Sequence, residues 1–323
     1  MNSQIYKELT KNEIDKIVID LYGNDSEITE CRLLKGGLFN TTYYIATNTD
    51  TAGIVLRAAP VKKDLLINFE KNMMSAEPLF HKLLADNDIP TSQILKYSPN
   101  GEVIDREYII SRYIPSIPMS DISSDKEDLG YLYEQVGSLI RKMHGIKNDR
   151  FGWKRPDRRG EYDTWKEFIF VFAGEANDKA LAYNLLDSEY IKRFNDLLNE
   201  STNALNEITE PHMSHNDLWE GNILLGKDNG NGKYYVAAII DIDKAIFGDR
   251  YWDMAMQCMM NPSFMKGYAD IVPDDLNHKK RQHIYKLIGI ILECYIAMIE
   301  FDDNEWYEKV KTHCISLLEN KYK

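Results

Sequence analysis

The stretch "SHNDLWEGNILL", residues 214–225, sets Asp217 and Asn222 five positions apart in front of an apolar run. A carboxylate and an amide at that interval, just ahead of a strand, need partners elsewhere in the chain to have a chemical purpose. Downstream, "VAAIIDIDKAIFGDRYWDMAM" (236–256) supplies one: five apolar residues, Val236–Ile240, read as a buried strand that ends directly in Asp241. Asp243 points to the same side if the strand continues. Asp217, Asn222 and Asp241 together offer oxygen donors without His or Cys, a set that suits Mg²⁺ shared with phosphate groups.

The rest of the chain bounds the alternatives. It has 323 residues, enough for two lobes, with 44% hydrophobic and 28% charged residues, an ordinary globular balance. The net charge is −12, divided as −3 over residues 1–113 and −9 over 114–323. This acidity disfavours nucleic acid as a partner and favours a cationic small molecule, although solubility alone explains an acidic surface at least as often. The N-terminus lacks an apolar signal-like core, and the apolar run Leu287–Ile299 is too short for a membrane span and contains Glu293, so a core helix and a cytoplasmic protein with no membrane partner are expected. Four dispersed cysteines (Cys31, Cys258, Cys294, Cys314) form no metal-ligand pattern and read as free thiols.

Periodicity gives an α+β architecture. Residues 11–22 read as a helix stopped by Gly23; 31–47 as two β arms around Gly36 and Gly37; 53–59 as a further strand; 64–85 as a helix; 93–97 and 106–114 as two more strands. Pro115 and Pro118 then mark the expected boundary between a small β-rich lobe, 1–114, and a larger helical lobe, 115–323. Helices are expected at 126–144, 162–185, 189–207, 251–260, 279–299 and 303–320, with short strands around 212–247.

Asp217-x-x-x-x-Asn222 followed by a strand-terminal Asp241 resembles the catalytic loop and metal aspartate of the protein-kinase-like superfamily. The "HNDLWEGNIL" form is similar to its small-molecule branch: aminoglycoside phosphotransferases, choline kinases and fructosamine kinases. The resemblance covers roughly residues 30–260 and implies a bilobal kinase fold that binds ATP or GTP with Mg²⁺. It implies Asp217 as catalytic base, and Asn222 and Asp241 as metal ligands. Gly36, Gly37, Asn40 and Thr41 would lie in a phosphate-covering hairpin, Arg57 would be the phosphate-binding cation, and Glu77 its carboxylate partner with Glu70 as runner-up. Backbone groups of Arg112 and Ile114 would bond adenine at the hinge. His215 and Asp253 would brace the loop, and His144 reads as a packed core histidine. Trp219 and Glu220 would face the acceptor or else be a packing and a solvated residue, and Asp243 could assist the metal. Asn216 stands where the branch usually has glycine, which leaves the backbone geometry of the loop in question.

For the acceptor, an aminoglycoside-like antibiotic is placed first. A ketoamine or choline-like alcohol is the alternative, since "FGW…EYDTWKEFIF" (151–170) and "DLWEGN" resemble fructosamine kinases. A catalytically silent kinase fold acting as a binding module is the reading from another class, disfavoured because base and metal ligands are all present.

Overall fold

The computed structural model describes residues 3–34, 39–122, 129–256 and 259–322. Gly36, Gly37 and Cys258 lie outside them. Helix α1 (Lys11–Tyr22) opens in a capping box between Thr10 and Glu13 and closes at Gly23, whose φ of 91° is one that glycine adopts without strain. It packs on one face of an antiparallel five-stranded sheet, β1 (Ile28–Leu33), β2 (Thr41–Thr47), β3 (Ile54–Ala58), β4 (Ile94–Ser98) and β5 (Tyr108–Arg112), in the order β1-β2-β3-β5-β4. Period-two alternation along β3 sets the direction of its arginine. Ile54, Leu56 and Ala58 are buried against α1, so Arg57 emerges on the opposite face.

Helix α2 (Glu77–Asp86) lies on that opposite side and is shorter than the 64–85 helix the apolar spacing predicts. Pro78 has no N–H and is tolerated only in a first turn, so the helix cannot extend N-terminally through it. Residues 64–72 are turns instead, ending at Asn72 with a left-handed φ of 65°.

Past Arg112 the chain leaves this sheet, and β6 (Ile117–Pro118) pairs in a second one with β10 (Ile223–Lys227), itself paired with β11 (Tyr234–Ile239). A third sheet joins β7 (Phe151–Gly152), β8 (Glu161–Tyr162), β9 (His212–Ser214) and β12 (Ile246–Gly248). Around them stand α3 (Gly130–Met143), α4 (Trp165–Ala182), α5 (Ser188–Glu200), α6 (Thr202–Asn206), α7 (Trp252–Met256), α8 (Pro262–Tyr268), α9 (Leu276–Tyr295) and α10 (Asn304–Glu319). The predicted helix 189–207 is thus two, parted at Ser201, whose buried hydroxyl donates to the Leu197 carbonyl. Apolar spacing does not predict helix α8. Its backbone meets α3 so closely that a Cβ on Gly137 would lie 2.1 Å from the Phe264 carbonyl oxygen.

The helical core is aromatic. Trp165 and Trp252 meet edge to face with ring centroids 5.6 Å apart, and the Trp165 indole N–H donates to the Tyr285 hydroxyl at 2.7 Å. Strand β12 crosses this cluster at Gly248, where a Cβ would sit 2.0 Å from the Trp165 ring. Helix α9 continues as a π-helical turn to Glu300. By length and composition Leu276–Glu300 is apolar enough to cross a membrane, yet 61% of its most apolar window is buried inside the protein, as for a core helix.

That π turn brings Glu300, fully buried, against Glu70, 5% exposed, in the 64–72 segment. Burial raises both carboxyls above the ordinary glutamate range, and the charge of Glu300 raises Glu70 further. Folding therefore takes up protons above the ordinary glutamate value, and stability falls as pH rises through that interval. Glu300→Gln removes the share of this penalty that Glu300 bears, together with its charge beside Glu70. Its thermal midpoint should exceed that of the wild type at pH 8, with the gap narrowing toward pH 5.

Candidate functional site

The strand-to-loop junctions of the second and third sheets converge beneath Arg57. Backbone from β9 runs into the 215–222 loop, which Asp253 at the start of α7 holds from behind. One Asp253 carboxylate oxygen accepts the Asn216 N–H at 2.7 Å; the other accepts the His215 N–H at 2.8 Å and lies 3.0 Å from His144 Nε2. Burial pushes this carboxyl up, but the hydrogen bond from His144 and the loop N–H outweigh that and hold it below the usual aspartate range. His215 accepts the Asp217 N–H through Nδ1 at 3.2 Å and donates from Nε2 to the Ile240 carbonyl at 3.0 Å, so both ring nitrogens are engaged. These contacts are the bracing expected of His215 and Asp253, and His144, read as a packed core histidine, is buried and joins the brace through Asp253.

Asn216 resolves the question raised by its replacement of glycine. Its φ is 64°, a left-handed conformation that asparagine tolerates better than most residues. The side chain donates to the Lys244 carbonyl at 3.0 Å and accepts the indole N–H of Trp252.

Asp217 lies at the open side of the loop, its side chain 31% exposed. The Asn222 amide donates to the Asp217 carbonyl at 2.7 Å, which leaves its own oxygen for a cation. Strand β11 ends at Ile239, and Asp241 adopts a left-handed φ of 62°, so Asp243 is reached through a 3₁₀ turn and not by continued strand alternation. Asp243 still faces the same guanidinium as Asp241.

Arg57 joins these elements. One guanidinium nitrogen contacts both Glu77 carboxylate oxygens, at 2.9 and 3.1 Å; the other contacts Asp241 at 2.6 Å and Asp243 at 3.1 Å. Glu77 is therefore the partner, and Glu70 accepts instead from the Ile67 N–H. Arg57 and Lys244 outweigh the effect of burial and hold Asp241 below the usual range. Asp243, buried beside Asp241, is pushed up to about 7, and its second carboxylate oxygen is buried without a hydrogen-bond partner.

Two expected contacts are corrected. Thr41 pairs with Ala58 across β2 and β3 and shares the parity of Tyr43 and Ile45, so it belongs to the α1 face. Its hydroxyl donates to the Lys7 carbonyl at 2.7 Å, away from any phosphate. Thr42, opposite Arg57, and Asn40 before it have the parity of the cleft face. At the hinge, Arg112 spends its N–H on the Gln93 carbonyl at 2.8 Å and its carbonyl on the Ser92 hydroxyl at 2.7 Å, while its side chain pairs with Asp50. Ile114 keeps a backbone N–H for which no acceptor exists among the described residues.

The sequence reading missed Lys244. Its ammonium lies 3.0 Å from Asp217 Oδ2. The signal was there, three residues after Asp241, but nothing in the linear pattern brings that position to the base. Trp219 is 42% exposed with its ring across Gly221, and Glu220 accepts the Tyr133 hydroxyl at 3.0 Å.

The donor chemistry fits Mg²⁺ with nucleotide phosphates: an amide oxygen, a carboxylate and a second buried carboxylate oxygen lacking a partner. Among the described residues no group of three or more His, Cys, Asp or Glu side chains makes a metal site unaided. Phosphate oxygens would complete the coordination.

This is the fold and cleft of a small-molecule kinase of the protein-kinase-like class. The fructosamine kinase family model matches residues 10–297, and the chain belongs to that family. It is 26% identical to a probable ketoamine kinase of Vibrio vulnificus over 285 residues, covering 83% of this chain and 87% of that protein. The fold is shared with the gentamicin complex of APH(2")-IIa, at a TM-score of 0.66 and 17% identity over 98% of this chain and 97% of that one. An ethanolamine kinase of Plasmodium vivax has a TM-score of 0.63 at 14% identity, over 98% and 90% of the two chains. Kinases of this family use a nucleotide as phosphoryl donor.

Asp253→Asn tests the brace behind the loop. An amide N–H₂ must then face a donor, which should cost about 1–3 kcal/mol in urea unfolding at pH 7. Because the Asp253 carboxyl titrates below its unfolded value, its contribution is present above about pH 4 and is lost on acidification. The unfolding curves of wild type and variant should converge below that pH.

Proposed function

We propose that this protein phosphorylates a hydroxyl of a ketoamine, the sugar adduct of an amine, using ATP or GTP and Mg²⁺. The observation that carries the reading is the convergence of Asp217, Asn222, Asp241 and Arg57 on one cleft in a chain of the fructosamine kinase family. The ketoamine replaces the aminoglycoside-like acceptor expected first. Relatives in sequence are named for ketoamines, whereas the aminoglycoside enzymes are related at the level of fold, at 17% identity. The acidic chain and half-exposed Trp219 beside the base suit an acceptor bearing an ammonium group.

Phosphoryl transfer passes through a loose transition state, so positioning and charge neutralisation do most of the work. Asp217 orients the acceptor hydroxyl and receives its proton. Asn222 and Asp241 would hold Mg²⁺, which when bound neutralises phosphate charge. Arg57, fixed by Glu77, faces the phosphates, and the Ile114 N–H bonds the base of the nucleotide. Asn40 contributes to the phosphate side.

Asp217→Asn should lower turnover at least ~100-fold, as loss of a positioned general base does, with nucleotide binding preserved. The assay is Mg²⁺-dependent nucleotide turnover against fructose- and ribose-derived ketoamines, aminoglycosides and choline-like alcohols. Turnover on ketoamines that vanishes in the variant is the expected result. Preference for an aminoglycoside, or full activity in the variant, would overturn the acceptor or the base respectively.

A further inference from the structure

The roles given to Asp217, Asn222, Asp241 and Arg57 leave Lys244 without one, yet its position supplies it. Its side chain is 29% exposed and its ammonium touches a single carboxylate, Asp217, at 3.0 Å. Asp241 and Asp243 also act on its charge, and Glu70 and Glu300 feel it from further off. The backbone at this position is not free to wander, since the Lys244 carbonyl is tied to the Asn216 amide of the catalytic loop at 3.0 Å.

A cation set beside the general base calls for a purpose beyond the ion pair itself. Charge balance offers the reason. Arg57 is already divided among Glu77, Asp241 and Asp243, whereas an ammonium has three donors and Lys244 commits one to Asp217. Lys244 follows Asp241 by three residues and reaches Asp217, so it spans the gap between the nucleotide side and the acceptor side. The transferring phosphoryl group must cross that gap.

Resting on the kinase reading of this cleft, we propose that Lys244 is a catalytic residue, bridging Asp217 to the equatorial oxygens of the phosphoryl group in flight. The acceptor oxygen forms its bond to the γ-phosphorus as the bond to the β,γ-bridging oxygen breaks. The departing electron pair stays on the nucleoside diphosphate, the hydroxyl proton passes to Asp217, and Lys244 keeps its own proton throughout. The ammonium acts where charge develops, and a fixed donor of that kind is worth on the order of 10²–10³ in rate.

The test compares the full-length wild type with Lys244→Met and Lys244→Arg. Lys244→Met should lose on the order of 10²–10³ in kcat, with KM for ketoamine and nucleotide within about threefold, and Lys244→Arg should recover part of the loss. The pH–rate profile separates this from a role in tuning Asp217. If the methionine variant regains full rate at high or low pH, Lys244 only sets the ionisation of the base, and the proposal fails. It fails equally if kcat is unchanged. A second readout needs no acceptor: titration with ADP, Mg²⁺ and aluminium fluoride, a mimic of the transferring group. The wild type should bind this mixture more tightly than ADP alone and Lys244→Met should lose the difference; equal tightening in both overturns the proposal. A wild type that tightens on aluminium fluoride but phosphorylates no ketoamine would refute the acceptor assignment and leave the role of Lys244 to be decided by this titration.

Discussion

One guanidinium ties the two sides of the cleft together. Arg57 reaches Glu77 on α2 with one nitrogen and Asp241 and Asp243 beyond β11 with the other, and its side chain is only 16% exposed. Such a network is expensive to desolvate, and it contributes little net stability compared with apolar packing of the same volume. Its value is positional. Glu77 is almost fully buried, so loss of Arg57 would strand a carboxylate in the interior, which keeps the strand, the helix and the aspartate turn in fixed relation. The same geometry implies an exchange. Under the proposed reading, a metal ion would claim the Asp241 oxygen and free one Arg57 nitrogen for phosphate, while Glu77 would retain the other.

Beneath that network the 215–222 loop is held by carboxylate–amide contacts as well as by the buried side chain of Leu218. Asp253 satisfies two consecutive loop N–H groups and a buried histidine, and His215 takes a third loop N–H at Asp217. Positioned through its own backbone, Asp217 turns its carboxylate to the open side, where Lys244 meets one oxygen. Rigidity behind the base and exposure in front of it are the two conditions for holding a hydroxyl in line.

Much of this was legible in the sequence because the informative residues lie at ends of regular elements. The interval from Asp217 to Asn222, and Asp241 after an apolar strand, survive folding as neighbours because β10 and β11 pair directly. The strand–Gly–Gly–strand pattern likewise gave β1 and β2, although the glycines themselves lie outside the described residues. What failed was local geometry that apolar spacing does not encode. The 64–85 periodicity hides the constraint of Pro78, and the hairpin pattern puts Thr41 on the cleft without regard to the face that its parity with Ala58 selects. Arg112 reads as a hinge contact to adenine because nothing in the linear pattern shows its N–H bonded to the Gln93 carbonyl and its carbonyl to the Ser92 hydroxyl. Lys244 was illegible for another reason. Its importance lies wholly in a contact across 27 residues with Asp217, created by two turns of left-handed backbone at Asn216 and Asp241.

Those two turns are connected. A glycine at position 216 would take the same φ without penalty, but it could not hold anything. Asparagine accepts a strained backbone conformation and in return ties the loop to the Lys244 carbonyl on one side and the Trp252 indole on the other. Trp252 stands in the aromatic core with Trp165 and Tyr285, so this one side chain links that core to the backbone of the lysine. A long, flexible lysine is a poor device for placing a charge unless its backbone is fixed. Asn216 fixes it, and the replacement of glycine that puts the loop geometry in question is what sets the cation beside the base.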